Sequence, residues 1–233
     1  MPFQHDSLLV QSENVPSQKF VITYGGESPS GLWTNELNIF KYEEGLIQSG
    51  NPSEKQTFEN SSNFQLFQSM EGLHPKKDAH KVFIYKNSLY LFGGTDNIIG
   101  SPRNELYELR PIEKSNEQSN NGLVQTSQKQ SFQWTQVEDI VSSSKPQGRR
   151  LFGLQIVNSS LVICGGQTSE YNKKSTLSDT WQFNMKKNEW DRMHDLPVAL
   201  SGLSLHYDEK KNRLICFGGI SEEGIYSNDI YEL

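Results

Sequence analysis

The chain has 233 residues, 34% of them hydrophobic and 11% aromatic, with 22 Lys and Arg against 28 Asp and Glu for a formal net charge of −6. This is enough chain for one all-β domain with a sizeable core. The acidic balance, without a basic run, argues against nucleic acid as a partner. No apolar stretch nears the ~20 residues of a membrane-spanning helix, and Ser7-Leu8-Leu9-Val10 is too short and wrongly flanked for a signal peptide. A cytoplasmic protein is expected, with the nucleus as the alternative, and no membrane as partner.

In chain order, a first strand is predicted just after His5. Val21-Ile22-Thr23-Tyr24 follows and runs into Gly25-Gly26. Asn35-Glu36-Leu37-Asn38-Ile39 and Phe64-Gln65-Leu66-Phe67 come next, with a polar stretch over 43–62 between them. The same order then returns. Lys81-Val82-Phe83-Ile84-Tyr85 is joined by the turn Lys86-Asn87-Ser88 to Leu89-Tyr90-Leu91-Phe92-Gly93-Gly94, followed by Asn104-Glu105-Leu106-Tyr107-Glu108-Leu109. A second polar insertion, 112–131, precedes Phe132-Gln133-Trp134-Thr135-Gln136-Val137. The third round is Leu161-Val162-Ile163-Cys164-Gly165-Gly166, Ser178-Asp179-Thr180-Trp181-Gln182-Phe183 and Glu189-Trp190-Asp191-Arg192-Met193. The fourth is Leu214-Ile215-Cys216-Phe217-Gly218-Gly219 and Asn228-Asp229-Ile230-Tyr231-Glu232-Leu233.

The first glycines of the pairs, at 25, 93, 165 and 218, are separated by 68, 72 and 53 residues, so the chain is an array of similar units. Alternation with period two makes the element after each glycine pair a strand, the short apolar runs are strand candidates beside it, and each full unit holds four. A glycine pair lets the chain turn sharply off a buried strand at positive φ. The other reading, a phosphate-cradling loop, needs a following Lys-Ser or Lys-Thr and a helix, and neither is present.

Gly-Gly at a strand end, an acidic residue with Tyr or Trp a dozen positions on, then Trp on a fourth strand: this pattern resembles the kelch repeat. The third unit carries it best, with Gly165, Gly166, Trp181 and Trp190. The second has Gly93, Gly94, Tyr107 and Trp134, and the fourth Gly218, Gly219 and Tyr231. The first, with Gly25 and Gly26, departs most, since Asn38 stands where an aromatic is expected and Phe67 where a Trp is expected, and its blade is expected to pack least well. The resemblance implies an all-β, kelch-type β-propeller with four recognisable blades, approximately 5–70, 74–138, 148–193 and 200–233. The last is incomplete, so the chain is expected to form an open arc or part of a ring of six or seven blades. Open edges at both ends would favour self-association.

Kelch propellers that resemble this one bind partner proteins through the loops between second and third strands and the connections between blades. Those segments here are 27–34, 95–103, 167–177 and 220–227, with 71–78, 139–150 and 194–200. They carry Trp33, Lys76, Lys77, Arg103, Lys145, Arg149, Tyr171, Lys173 and Tyr226, aromatics beside cations that suit an acidic peptide. Such residues also decorate inert loops, and Arg149 or Arg150 has a second reading as a brace between blades. The expected function is therefore protein binding, as a scaffold or the recognition part of an adaptor. A propeller enzyme of the sugar mutarotase or metal-oxidase type and a cytoskeletal crosslinking repeat are the alternatives. No catalytic residue, cofactor or metal is expected, because His5, His74, His80, His194 and His206 lack ligand spacing and no nucleophile motif occurs. Cys164 and Cys216, at matching places before glycine pairs on separate blades, are expected to be reduced core residues too far apart to pair.

Overall fold

A computed structural model describes residues 6–11, 19–26, 34–42, 64–70, 78–95, 101–112, 131–139, 144–170 and 173–233. Among the described residues, fifteen strands form four antiparallel sheets. Sheet one is β1 (Asp6–Gln11), β2 (Lys19–Tyr24), β3 (Leu37–Tyr42) and β4 (Phe64–Met70). Sheet two is β5 (Lys81–Tyr85), β6 (Ser88–Phe92), β7 (Leu106–Pro111) and β8 (Phe132–Gln136). Sheet three is β9 (Gly153–Val157), β10 (Ser160–Glu170), β11 (Lys173–Asn184) and β12 (Glu189–Arg192). Sheet four has three strands, β13 (Ser204–Asp208), β14 (Arg213–Phe217) and β15 (Ile230–Glu232). In every sheet the strands pair in chain order. The first strands of neighbouring sheets, β1, β5, β9 and β13, approach one another in succession, so they form the inner edge of the arc.

Alternation explains how the sheets stack. In sheet two, Val82, Ile84, Leu89 and Leu91 pack with Leu8, Ile22, Tyr24 and Leu37 of sheet one. Their neighbours Phe83, Tyr85, Tyr90 and Phe92 point the other way, into Leu161, Ile163, Trp181, Phe183 and Trp190 of sheet three. A strand covered on both faces needs apolar residues at consecutive positions, which is why β6 reads Leu-Tyr-Leu-Phe. Trp190 lies 5.4 Å from Phe92 and 5.0 Å from Phe183 by ring centroids, and Trp134 sits 5.1 Å from Tyr24 across the junction of sheets one and two. Lys86 and Asn87, at φ 46° and 64°, are the two positive-φ residues joining β5 to β6, a turn whose twist matches a hairpin. The buried His80 stacks edge-on to Tyr24 at 5.6 Å.

Two expectations need correction. The glycine pair of the third unit does not end its strand. Gly165 and Gly166 form a bulge, and β10 and β11 continue beyond it, pairing from Gly166 with Leu177 to Glu170 with Lys173. Most of 167–177 is thus a β-ribbon, favoured by the Thr and Ser residues on both strands, rather than a loop. Second, the cysteines are not at equivalent places. Cys164 directly precedes its glycine pair, whereas Phe217 separates Cys216 from Gly218. One residue in a strand reverses the face. Cys164 therefore points toward sheet four and Cys216 toward sheet three, and both lie in the same buried cluster. The thiols are free, and the neighbouring Cys216 thiol together with burial pushes Cys164 up.

Of the two polar insertions, 43–62 and the body of 112–131 lie outside the described residues, as do the side chains of β4 apart from Met70. At the base of the second, Ile112 N–H donates to the Ser131 carbonyl at 2.9 Å.

Candidate functional site

The junction between sheets two and three is built from the loop after Gly94 and the segment leading into β9. Gly94 N–H donates to the Arg149 carbonyl at 2.9 Å and Arg149 N–H to the Arg103 carbonyl at 3.0 Å. Asn104 Nδ2 donates to the Pro146 carbonyl at 2.8 Å. These bonds fasten 101–104 to 146–149 on one end of the sheets, so a loop between second and third strands and a connection between sheets form a single ledge. Arg150 adds two bonds from its guanidinium to Gln167 Oε1, at 3.1 and 2.7 Å.

Arg149 is the correction among the expected partner-binding residues. Its side chain is fully buried. Nη1 and Nη2 each donate to an Asp179 carboxylate oxygen at 2.8 Å, and Nη1 also reaches the Gly165 carbonyl at 3.0 Å. Its backbone is held by sheet two and its guanidinium by sheet three, so it braces the junction and has no surface to offer. Burial alone would push Asp179 up, but the hydrogen bonds and charge of Arg149, with the Trp181 indole N–H, outweigh it and hold the carboxyl below the usual range. Sequence reasoning used the acidic residue that recurs at 36, 105, 179 and 229 as part of the repeat pattern but gave Asp179 no role of its own.

Trp33, Lys76, Lys77 and Tyr171 lie outside the described residues. Lys173 begins β11 at the tip of the ribbon. Arg103 is exposed on the ledge, and Lys145 lies near it in sequence at the ledge's rim, its ammonium 3.7 Å from Asp139. Tyr226, 81% exposed, belongs to the loop of sheet four. The structure therefore joins Arg103 to the 144–149 connection and leaves Tyr226 two sheets away.

A cavity of about 480 Å³ opens along the inner edge of the arc, lined by Ser7–Val10, Lys81–Ile84 and Leu154–Ile156. Its walls are the axis-facing edges of β1, β5 and β9, and Lys81 is the one titratable side chain among the described lining residues. Among the described residues no group of three His, Cys, Asp or Glu is placed to hold a metal ion, and no helix is long and apolar enough to cross a membrane.

A family model described as the kelch motif matches residues 148–197, which span the whole of sheet three and its lead-in. Sheet three thus matches the kelch motif. The chain as a whole has the fold of a kelch-type β-propeller: the structure of YjhT superposes with a TM-score of 0.57 over 100% of this chain and 63% of that one. At 12% identity the likeness carries the fold alone. The chain spans less than two thirds of that neighbour. No curated protein matches the sequence. Kelch geometry places the glycine pairs at the end of the sheets that carries the ledge, with all eight glycines at positive φ.

Proposed function

We propose that the chain is a protein-interaction module that holds an acidic peptide segment on the ledge formed by 101–104 and 144–149. The supporting observation is the rigidity of that ledge. Backbone hydrogen bonds fix both of its segments, and the buried Arg149–Asp179 pair anchors it from below, so the backbone that carries exposed Arg103 needs no loop ordering at binding. Lys145 extends the cationic rim, and Lys173 stands on the ribbon of the following sheet. A scaffold or the recognition part of an adaptor fits this reading.

The test is capture of partners from lysate by the chain and by an Arg103→Glu/Lys145→Glu double variant whose melting temperature equals that of the parent. A partner that the parent holds, the variant loses and added salt releases supports the reading. A partner retained equally by both rejects the ledge.

A further inference from the structure

The junctions between neighbouring sheets are built at the same two positions of the repeat. The residue directly before one glycine pair shares a buried cluster with the residue two places before the next pair: Tyr24 with Leu91, Phe92 with Ile163, and Cys164 with Cys216. All six are fully buried. The first two junctions fill this place with an aromatic and an aliphatic side chain. The third fills it with two thiols.

Sheet three presents the row Gly153, Cys164 and Thr180 across β9, β10 and β11, and sheet four the row Leu205, Cys216 and Tyr231 across β13, β14 and β15. Each sulfur stands at the centre of its row. The small residues of sheet three let the two backbones close in beside them, since a Cβ placed on Gly153 would lie 3.0 Å from the Leu205 Cβ. That approach is closer than the ~3.5–4.5 Å between the Cβ atoms of a disulfide. The Thr180 hydroxyl donates to Cys164 Sγ at 3.4 Å. The two thiols act on each other in opposite senses: Cys216, together with burial, pushes Cys164 up, while Cys164 holds Cys216 below its ordinary value. Cys216 is therefore the first of the two to ionise.

We propose that Cys164 and Cys216 are an oxidisable dithiol, which a hydroperoxide converts to a disulfide that staples β10 of sheet three to β14 of sheet four. The Cys216 sulfur attacks one peroxide oxygen, the O–O bond breaks, and the thiol proton leaves with the departing oxygen as water, giving a sulfenic acid. The Cys164 sulfur then attacks the sulfenic sulfur. The S–O bond breaks, the S–S bond forms, and the leaving hydroxide takes the second thiol proton. Two thiols lose two electrons, and hydrogen peroxide becomes two waters. Burial makes the first step slow, because the small oxidant reaches the sulfur only as the junction opens. The second step is intramolecular between side chains already packed together, so the disulfide forms ahead of further oxidation to the sulfinic acid. A thiol buried as a small apolar filler is the plain alternative, and packing alone asks for no sulfur opposite a sulfur. The dithiol lies between sheets three and four and does not depend on the ledge.

The chain has two cysteines, so the product is unambiguous. The full chain is treated with hydrogen peroxide under native conditions, quenched, alkylated in denaturant and weighed intact, beside Cys164→Ala and Cys216→Ala. The parent should lose both alkylation sites and two hydrogen atoms while remaining monomeric on a non-reducing gel, and dithiothreitol should restore both sites. Neither single variant should show that loss. The oxidised sample should melt several degrees above the same sample after dithiothreitol, a comparison in which any oxidised methionine is common to both, because the staple removes freedom from the unfolded chain. Two thiols that stay alkylatable in the native chain, while the urea-unfolded chain forms the disulfide with the same peroxide, would make them inert filler and overturn the proposal. A disulfide between chains, or sulfinic acid in place of the disulfide, overturns it as well. So does an oxidised form that melts no higher than its reduced counterpart, since the folded junction would then not accommodate the bond.

Discussion

Sheets three and four are built from the same repeat, yet they differ at every position that a following sheet would touch. Cys164 and Thr180 are fully buried and their hydroxyl-to-sulfur contact of 3.4 Å is sealed from water, while Phe217 and Ile230 stand in solvent. The toward-sheet-three positions of sheet four are ordinary core: Leu214 and Cys216 are as buried as Leu161 and Ile163. Burial in this fold is therefore a property of the junction and not of the sheet. A residue type acquires its energetic weight from whether the next unit is in place, as expected of arrays stabilised by neighbour contacts.

The glycine pairs give the largest test of that difference. Gly165 and Gly218 share a left-handed backbone, at φ 59° and 71°, so a side chain at either is strained. Only at Gly165 does the Leu200 carbonyl also occupy the space a Cβ needs. Gly165→Val is expected to lose more than about 4 kcal/mol in urea unfolding, and Gly218→Val about 1–2 kcal/mol. Equal losses would mean that backbone strain alone decides, and that the close approach of the following lead-in is energetically empty.

Arg149 gives an intermediate effect, with a pH signature. Sheet three holds Asp179 with Arg149; sheet four has Asp229 at the equivalent place, taking bonds only from Ser227 and Tyr231. Removing the guanidinium in Arg149→Met leaves a mostly buried carboxylate unpaired, at a cost of about 3 kcal/mol near neutral pH. Because the folded-state pKa of Asp179 is depressed, its contribution is fully present above the unfolded value of about 3.9 and is lost as pH falls through the folded one. The parent should lose stability on acidification below about pH 4, and the variant should lose less over the same window, so the two curves converge. Parallel curves would show that Arg149 does not set the Asp179 charge.

Much of this architecture was legible in the sequence because strands of a repeat carry two signals at once. Short apolar runs marked β5 and β6, period-two alternation marked β7, and the glycine pairs set the unit length. What escaped was decided by one-residue offsets and by pairing at a distance. Cys216 reads as the twin of Cys164 until Phe217 is counted, and that single residue turns it to the opposite face, where the two thiols meet. The ribbon of 167–177 was hidden because glycine in a bulge and glycine at a strand end look alike in sequence. Arg149 carries a charge suited to a surface, and only Asp179, thirty positions on, shows that it is internal. Partner-binding residues are least legible, since an exposed lysine leaves no packing trace.

The smallest effect sharpens the comparison most, because it isolates the absent neighbour. Phe92 and Phe217 are the same residue at the same place in the repeat. Phe92 is fully buried, with Phe152 at 5.6 Å and Trp190 at 5.4 Å across the junction, whereas Phe217 has half its surface in water. Phe92→Ala should cost about 3–5 kcal/mol by loss of burial and a cavity that rigid sheets cannot close. Phe217→Ala should cost under about 1 kcal/mol, because among the described residues no facing sheet loses contacts. Urea unfolding of the two variants checks this. Equal losses at the two positions would mean that the junction with the following sheet adds nothing to the weight of the phenylalanine, and that packing within its own sheet decides.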